Sequence, residues 1–205
     1  MTKKIFFSIT LIAGLATGLA AQSYYRDSMF AYQQRYADRH EVVQGKDKEY
    51  FRFFVPMEMY QVTADIELLP DGKLVTMETS GWLKKTFREY ALARFKLRDT
   101  TLSLTIYKPQ MLPGADTLQN YLFLPFTDAT CGDESYGAGR YLDLDSRDIH
   151  NGKMVIDFNK TYNPYCAFVT GKYNCPVPPA TNHLPVAIRA GEKKFGLPPQ
   201  KAAGL

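Results

Sequence analysis

Along the chain, the apolar positions change their spacing in steps. Residues 1–21 begin with Lys3 and Lys4, run apolar through IFFSITLIAGLATGL and end in small residues. These are the three sections of a secretory leader, with cleavage expected after Ala20 or Ala21. Tyr25, Met29, Tyr32 and Tyr36 then fall at i, i+4, i+7 and i+11, one face of an α-helix. The reading is a helix and linker over 22–49, with that face packed on a sheet.

From residue 50 the period drops to two, and a β-rich domain is expected over 50–195. Tyr60, Val62, Ala64, Ile66 and Leu68 alternate with polar neighbours, and PDGK at 70–73 reads as a turn returning the chain into LVTMETS as a hairpin. EYALARFKL at 89–97, the turn RDTT and LSLTIY form a second hairpin, with Leu102, Leu104 and Ile106 on one face. KPQMLPGADTLQN reads as a loop and YLFLPF as a buried strand. RYLDLD, the pair Asn151-Gly152 for a type I′ turn, and MVIDFN with Met154, Ile156 and Phe158 inward complete the strands. The proline-dense CPVPPATNHLPVAI should wrap the body in extended form, and 196–205 should trail as a flexible tail. About eight short strands behind one helix give a mainly β fold class, an antiparallel barrel or sandwich with one N-terminal α-helix.

Composition narrows the setting. Removing residues 1–21 takes Lys3 and Lys4 and leaves 184 residues with 23 basic against 21 acidic side chains, one domain large enough to bury about 70% of its unfolded surface. That near-balance argues against nucleic acid, which calls for a concentrated basic stripe. RAGEKKF near the C-terminus is the one local basic cluster and reads as solvated tail. Without a cysteine at the new N-terminus no lipid anchor is expected, so the product is exported, periplasmic or secreted, with no membrane anchor after cleavage. There cysteines pair. Cys166 and Cys175 flank a stretch that Gly171 and Asn174 can turn back on itself, and a disulfide between them is expected to contribute about 2–3 kcal/mol. Cys131 is left over as a small buried hydrophobe.

The densest chemistry lies in TDATCGDESYGAGRYLDLD, residues 127–145. Ser135 lacks the G-x-S-x-G frame of a nucleophile elbow, and Leu142 stands where a dinucleotide fingerprint needs its third glycine. His40, His150 and His183 are scattered, and the acids of the loop lack a calcium-binding spacing, so no metal and no cofactor are expected. A polar pocket is the more economical reading. Gly137 and Gly139 let backbone amides approach an anion, Arg140 offers a fork to it, and Asp157 and Asn159 share one face of a later strand.

Three blocks, FLPFTDATCGDESYGAGRYLDLD, VIDFNKTYNPYCAF and CPVPPATNHLPVAIRAGEK, resemble the domain of unknown function 1684 family, and weaker segments extend the likeness back to about residue 60. The resemblance marks Asp128, Thr130, Gly132, Glu134, Tyr136, Gly137, Gly139, Arg140, Tyr141 and Asp143 in the first block. In the later blocks it marks Asp157, Asn159, Tyr162, Asn163, Pro164, Cys166, Cys175, Pro176 and Asn182. Cys131 departs from a serine and His183 from an arginine, which speaks against a catalytic thiol and a zinc ligand. What the family pattern implies is a shared polar constellation of Glu134, Arg140, Asp157, Asn159 and Asn163.

These residues support three functions. The leading one is a domain that binds a small polar or anionic ligand, or a protein, with Arg140 gripping the anion, Glu134 and Asp157 orienting it, and Tyr136 and Tyr141 as walls. The second is a carboxylate-dependent hydrolase of glycans or other envelope substrates, pairing Glu134 with Asp128, Asp143 or Asp157. In the third the cluster serves the fold alone, with Arg140 as a buried ion-pair hub.

Overall fold

The structure, a computed structural model, describes residues 6–110, 119–197 and 200–201. The helix α1 spans Phe6–Arg39 and so begins within the expected leader; no helix among the described residues is long and apolar enough to cross a membrane. The stripe read from the sequence faces the protein. Met29 is buried, the Tyr25 hydroxyl donates to Asp157, and the Tyr36 hydroxyl donates to Glu192.

Behind the helix lies one curled antiparallel sheet, half of a barrel. Its strands are β1 (Gln61–Leu68), β2 (Leu74–Met77), β3 (Lys85–Leu97), β4 (Thr100–Pro109), β5 (Tyr121–Asp128), β6 (Arg140–Asp145) and β7 (Lys153–Asp157). The spatial order is β6-β5-β4-β3-β1-β7. Two short strands, β8 (Val169–Thr170) and β9 (His183–Leu184), come next, and β9 joins β5 in parallel. The segment expected as a free tail includes β10 (Gln200–Lys201), which pairs in parallel with β8. Most of the loop expected over 108–120 lies outside the described residues.

One expected hairpin does not form. PDGK does turn the chain, but β2 pairs with β3 and not with β1. The reason is length: β3 runs for 13 residues, so Lys85–Arg88 serve β2 while Ala91–Arg94 serve β1, and the two short strands lie end to end along it. Gly72 seals the junction, since a Cβ there would lie 1.9 Å from the Glu89 carbonyl oxygen. The β3–β4 hairpin closes as expected. Asn151 and Gly152 both take positive φ, 51° and 71°, as a type I′ turn requires; β7 then pairs with β1 rather than with β6.

The inward face of the sheet carries the main core, including Ile106, Leu124, Phe126, Ile156 and Phe158. At the β6 end the opposite face is covered too, by Met77, Phe87, Tyr107, Phe123 and Tyr141. The proline-rich segment is stitched to the sheet by Asn182, whose side chain bonds both backbone groups of Thr105 and the Pro125 carbonyl. The disulfide Cys166–Cys175 is formed.

Candidate functional site

Arg140 opens β6 directly after Gly139, whose φ of 94° and close approach to the Phe126 carbonyl leave no room for a side chain. Strand parity decides where the arginine points. Arg140 shares a face with Leu142, whereas Tyr141 and Asp143 take the other. Arg140 is therefore inside, 0% exposed, between the rings of Phe54 and Phe126. Its Nη2 donates to Asp128 Oδ1 at 3.2 Å and to the Ile188 carbonyl at 2.8 Å. Its Nη1 donates to the Ala190 and Glu192 carbonyls. Asp128 in turn accepts from the Ile188 amide at 2.7 Å and from the Thr130 hydroxyl. Burial lowers the arginine pKa, and Asp128 works against that shift. The guanidinium thus ties β6 and the end of β5 to the strand-like segment 188–192.

The expected partners of Arg140 lie elsewhere. Glu134 is held by Arg189, with Nε donating at 2.8 Å. Asp157 accepts from Tyr25 at 2.9 Å and caps the Asn159 amide at 3.0 Å. Asn159 completes that second node by bonding both backbone groups of Met57. Asn163 donates its backbone amide to Glu192 Oε2 at 2.8 Å and its side chain to the Lys193 carbonyl. Tyr136 packs with Val43 and Phe168, and the Tyr141 hydroxyl donates to the Pro176 carbonyl. The convergence of Glu134, Arg140 and Asp157 that the sequence suggested is not formed, because each carboxylate is drawn to a nearer donor and the guanidinium turns to backbone carbonyls. The acids weighed as hydrolase partners for Glu134 are likewise engaged: Asp128 with Arg140, Asp143 with two tyrosines, Asp157 with Tyr25.

A different concavity is open. A cleft of about 670 Å³ lies between the last two turns of α1, the outer face of β6, the segment 162–165 and the disulfide loop 173–176. The helix presents Tyr32, Arg35, Tyr36 and Arg39, successive positions of one face, and His40 follows its last residue. Opposite stand Tyr141, Asp143, Tyr162, Tyr165 and Tyr173. Asp143 Oδ1 accepts from the Tyr162 hydroxyl at 2.7 Å and from Tyr121 at 2.8 Å. Tyr165 donates to Glu41 at 3.0 Å. Burial raises the pKa of Tyr36, Tyr141 and Tyr162, so these phenols stay neutral. Arg35, Arg39 and Lys85 sit exposed on the rim, and among the described residues none of them is in an ion pair. His40 closes the helix end, 5% exposed, with Nδ1 accepting from the Val43 amide at 3.0 Å. Burial, aided by Lys48, lowers its pKa to about 4, so the ring is neutral.

Residues 48–193 match the family described as "Protein of unknown function (DUF1684)". The chain belongs to the DUF1684 family. A solution NMR structure of the uncharacterised protein from gene locus rrnAC0354 of Haloarcula marismortui is similar, with 26% sequence identity and a TM-score of 0.62. The likeness covers 83% of this chain and 95% of that one. No curated protein matches. The DUF1684 span contributes Tyr141, Asp143, Tyr162 and the disulfide wall of the cleft, while the arginine-bearing helix precedes it.

Of the seven binding residues expected from the DUF1684 sequence, Tyr141 alone lines this cleft. Arg35, Arg39, Lys85, Asp143, Tyr162 and Tyr173, which also line it, were not among those seven. A signal is present for the helix: Arg35 and Arg39 are spaced i, i+4 beside Tyr32 and Tyr36 with the same spacing, a basic stripe flanking an aromatic one. Glu192, placed by sequence in a solvated tail, is 0% exposed. Nothing in RAGEKKF foretells that, because its burial depends on Tyr36 and Asn163.

Proposed function

We propose that this DUF1684 protein is an exported binding protein whose cleft between α1 and the sheet takes a small anionic ligand with exposed ring faces. The observation that carries the reading is the cleft's own composition: tyrosines lining an open concavity, with Arg35, Arg39 and Lys85 around it in no ion pair among the described residues. Its two carboxylates are already partnered, Glu41 by Tyr165 and Asp143 by Tyr121 and Tyr162. Neutral hydroxyls do not cancel those two charges, but Arg35, Arg39 and Lys85 outnumber them, so the lining is net positive, and guanidinium groups suit carboxylate or phosphate oxygens. Tyrosine faces and edges supply apolar contact with polar tips, the usual make-up of a small-molecule site. Export is supported by the leader-like N-terminus and by the disulfide, which forms part of the cleft wall. The polar constellation around Arg140 then serves the fold that positions the cleft.

The test is isothermal titration with acidic monosaccharides and aromatic carboxylates. Arg35→Ala combined with Arg39→Ala should weaken a ligand so found by about tenfold or more, which is about 1.4 kcal/mol. The melting temperature should barely move, because both side chains are exposed. Equal affinity in the double variant and the parent rejects the reading.

A further inference from the structure

Beside the cleft, the turn between β2 and β3 lifts Trp82 into solvent at 85% exposure, with Leu83 next to it at 44%. Single exposed apolar residues are ordinary; what sets this one apart is how firmly its loop is built. The Ser80 amide donates to the Cys175 carbonyl at 2.9 Å, and the Cys175 amide donates to Ser80 Oγ at 3.1 Å. The Leu83 amide donates to Asn174 Oδ1 at 3.0 Å, and the Val177 amide donates to the Glu78 carbonyl at 2.7 Å. Gly81 lies so close to the Asn174 side chain that a Cβ would sit 2.4 Å from Oδ1. The loop is thereby fastened to Asn174 and Cys175, both of which line the cleft. Three residues after Trp82, Lys85 lies on the cleft rim, within about 11 Å along an extended chain. A rigid loop anchored on the cleft wall holds a large flat side chain outside it, so stacking there costs little ordering.

We infer that the ligand extends past the cleft onto Trp82 and is an acidic saccharide of several rings, with one unit seated among the tyrosines and a neighbouring unit stacked on the indole. This rests on the function proposed above and names its substrate class. Charge complementarity selects acidic units: Arg35, Arg39 and Lys85 line the cleft, Lys85 only three residues beyond Trp82, and among the described residues none of the three is in an ion pair. Lys84 is already engaged by Glu78 at 2.5 Å.

The chain contains one tryptophan, so intrinsic fluorescence reports on Trp82 alone. Titration of the folded protein with trigalacturonate should shift or quench that emission, and galacturonate should leave it unchanged. By calorimetry the trimer should bind about tenfold more tightly than the monomer. Trp82→Ala should remove that advantage while leaving monomer affinity unchanged, and Trp82→Tyr should keep most of it. Trimer binding that is equally tight in Trp82→Ala, or that leaves the emission untouched, overturns the inference but not the cleft reading. Binding of neither saccharide overturns the inference, and an anionic ligand found later that Arg35→Ala with Arg39→Ala weakens would keep the cleft. An emission shift with anionic phosphatidylglycerol vesicles and none with trigalacturonate overturns it in favour of a membrane surface.

Discussion

Arg140→Ala is expected to lower the unfolding free energy by about 3–5 kcal/mol, a large fraction of the roughly 5–15 kcal/mol typical of a domain. The substitution strands groups on two separate segments. Asp128 is left as a buried carboxylate facing no cation, and the carbonyls of Ile188, Ala190 and Glu192 lose their shared donor. The space between Phe54 and Phe126 becomes a cavity as well. Breaking one half of a buried pair costs more than the pair ever contributed, because the remaining charge has no water to turn to. Asp128→Asn should cost less, since its amide oxygen still accepts from Arg140 or from the Ile188 amide. Urea denaturation followed by circular dichroism measures both. An Arg140→Ala midpoint within error of the parent means the guanidinium is not the strut described here.

The second large effect is a loss of stability toward alkaline pH, traced to Glu192. Burial raises its pKa from 4.5 to about 8, against hydrogen bonds from Asn163 and Tyr36 and the nearby Arg140 charge. A carboxyl whose folded pKa is raised stabilises the native state fully below its unfolded pKa, and that contribution falls as pH rises to the folded value. The window is therefore about pH 4.5 to 8. His40 has the opposite sign: its folded pKa is lowered to about 4, so its contribution is present above about 6.5 and fades as the solution is acidified. Above about pH 6.5 the histidine is silent and Glu192 dominates. The parent should lose about 2 kcal/mol between about pH 6.5 and 8.5, from about 1.36 kcal/mol per pH unit. Glu192→Gln should flatten that decline, because an amide keeps an acceptor for Tyr36 and the Asn163 amide without acquiring a charge. Urea midpoints at the two pH values measure this; an equal slope in parent and variant assigns the titration to another group.

Local rules were readable wherever the structure obeyed local rules. The period of two from Tyr60 to Leu68 names an alternating strand, and Asn151-Gly152 names a turn. The β3–β4 hairpin closes where the sequence places it. Pairing between strands was less legible. The turn at PDGK predicts a reversal but not a partner, and a 13-residue β3 recruits β1 and β2 end to end. Strand parity would have placed Arg140 correctly, since it shares its face with Leu142 and Leu144 while Tyr141 and Asp143 take the other. The glycines before it suggested an open loop, yet Gly139 is there because the Phe126 carbonyl passes close by. The cleft draws on helix, strand and disulfide loop from residues 32 to 176, and no short window of sequence contains it.

The central claim separates a buried polar framework at Arg140 from a ligand cleft at the tyrosines. Its most direct test is amide chemical-shift mapping during titration with galacturonate and trigalacturonate. The account predicts perturbations gathered on Tyr32–His40, Lys85, Tyr141–Asp143, Tyr162 and Tyr173–Pro176, the walls of the cleft. Perturbations centred on residues 128–139 and Asn159, with the cleft unaffected, would contradict it.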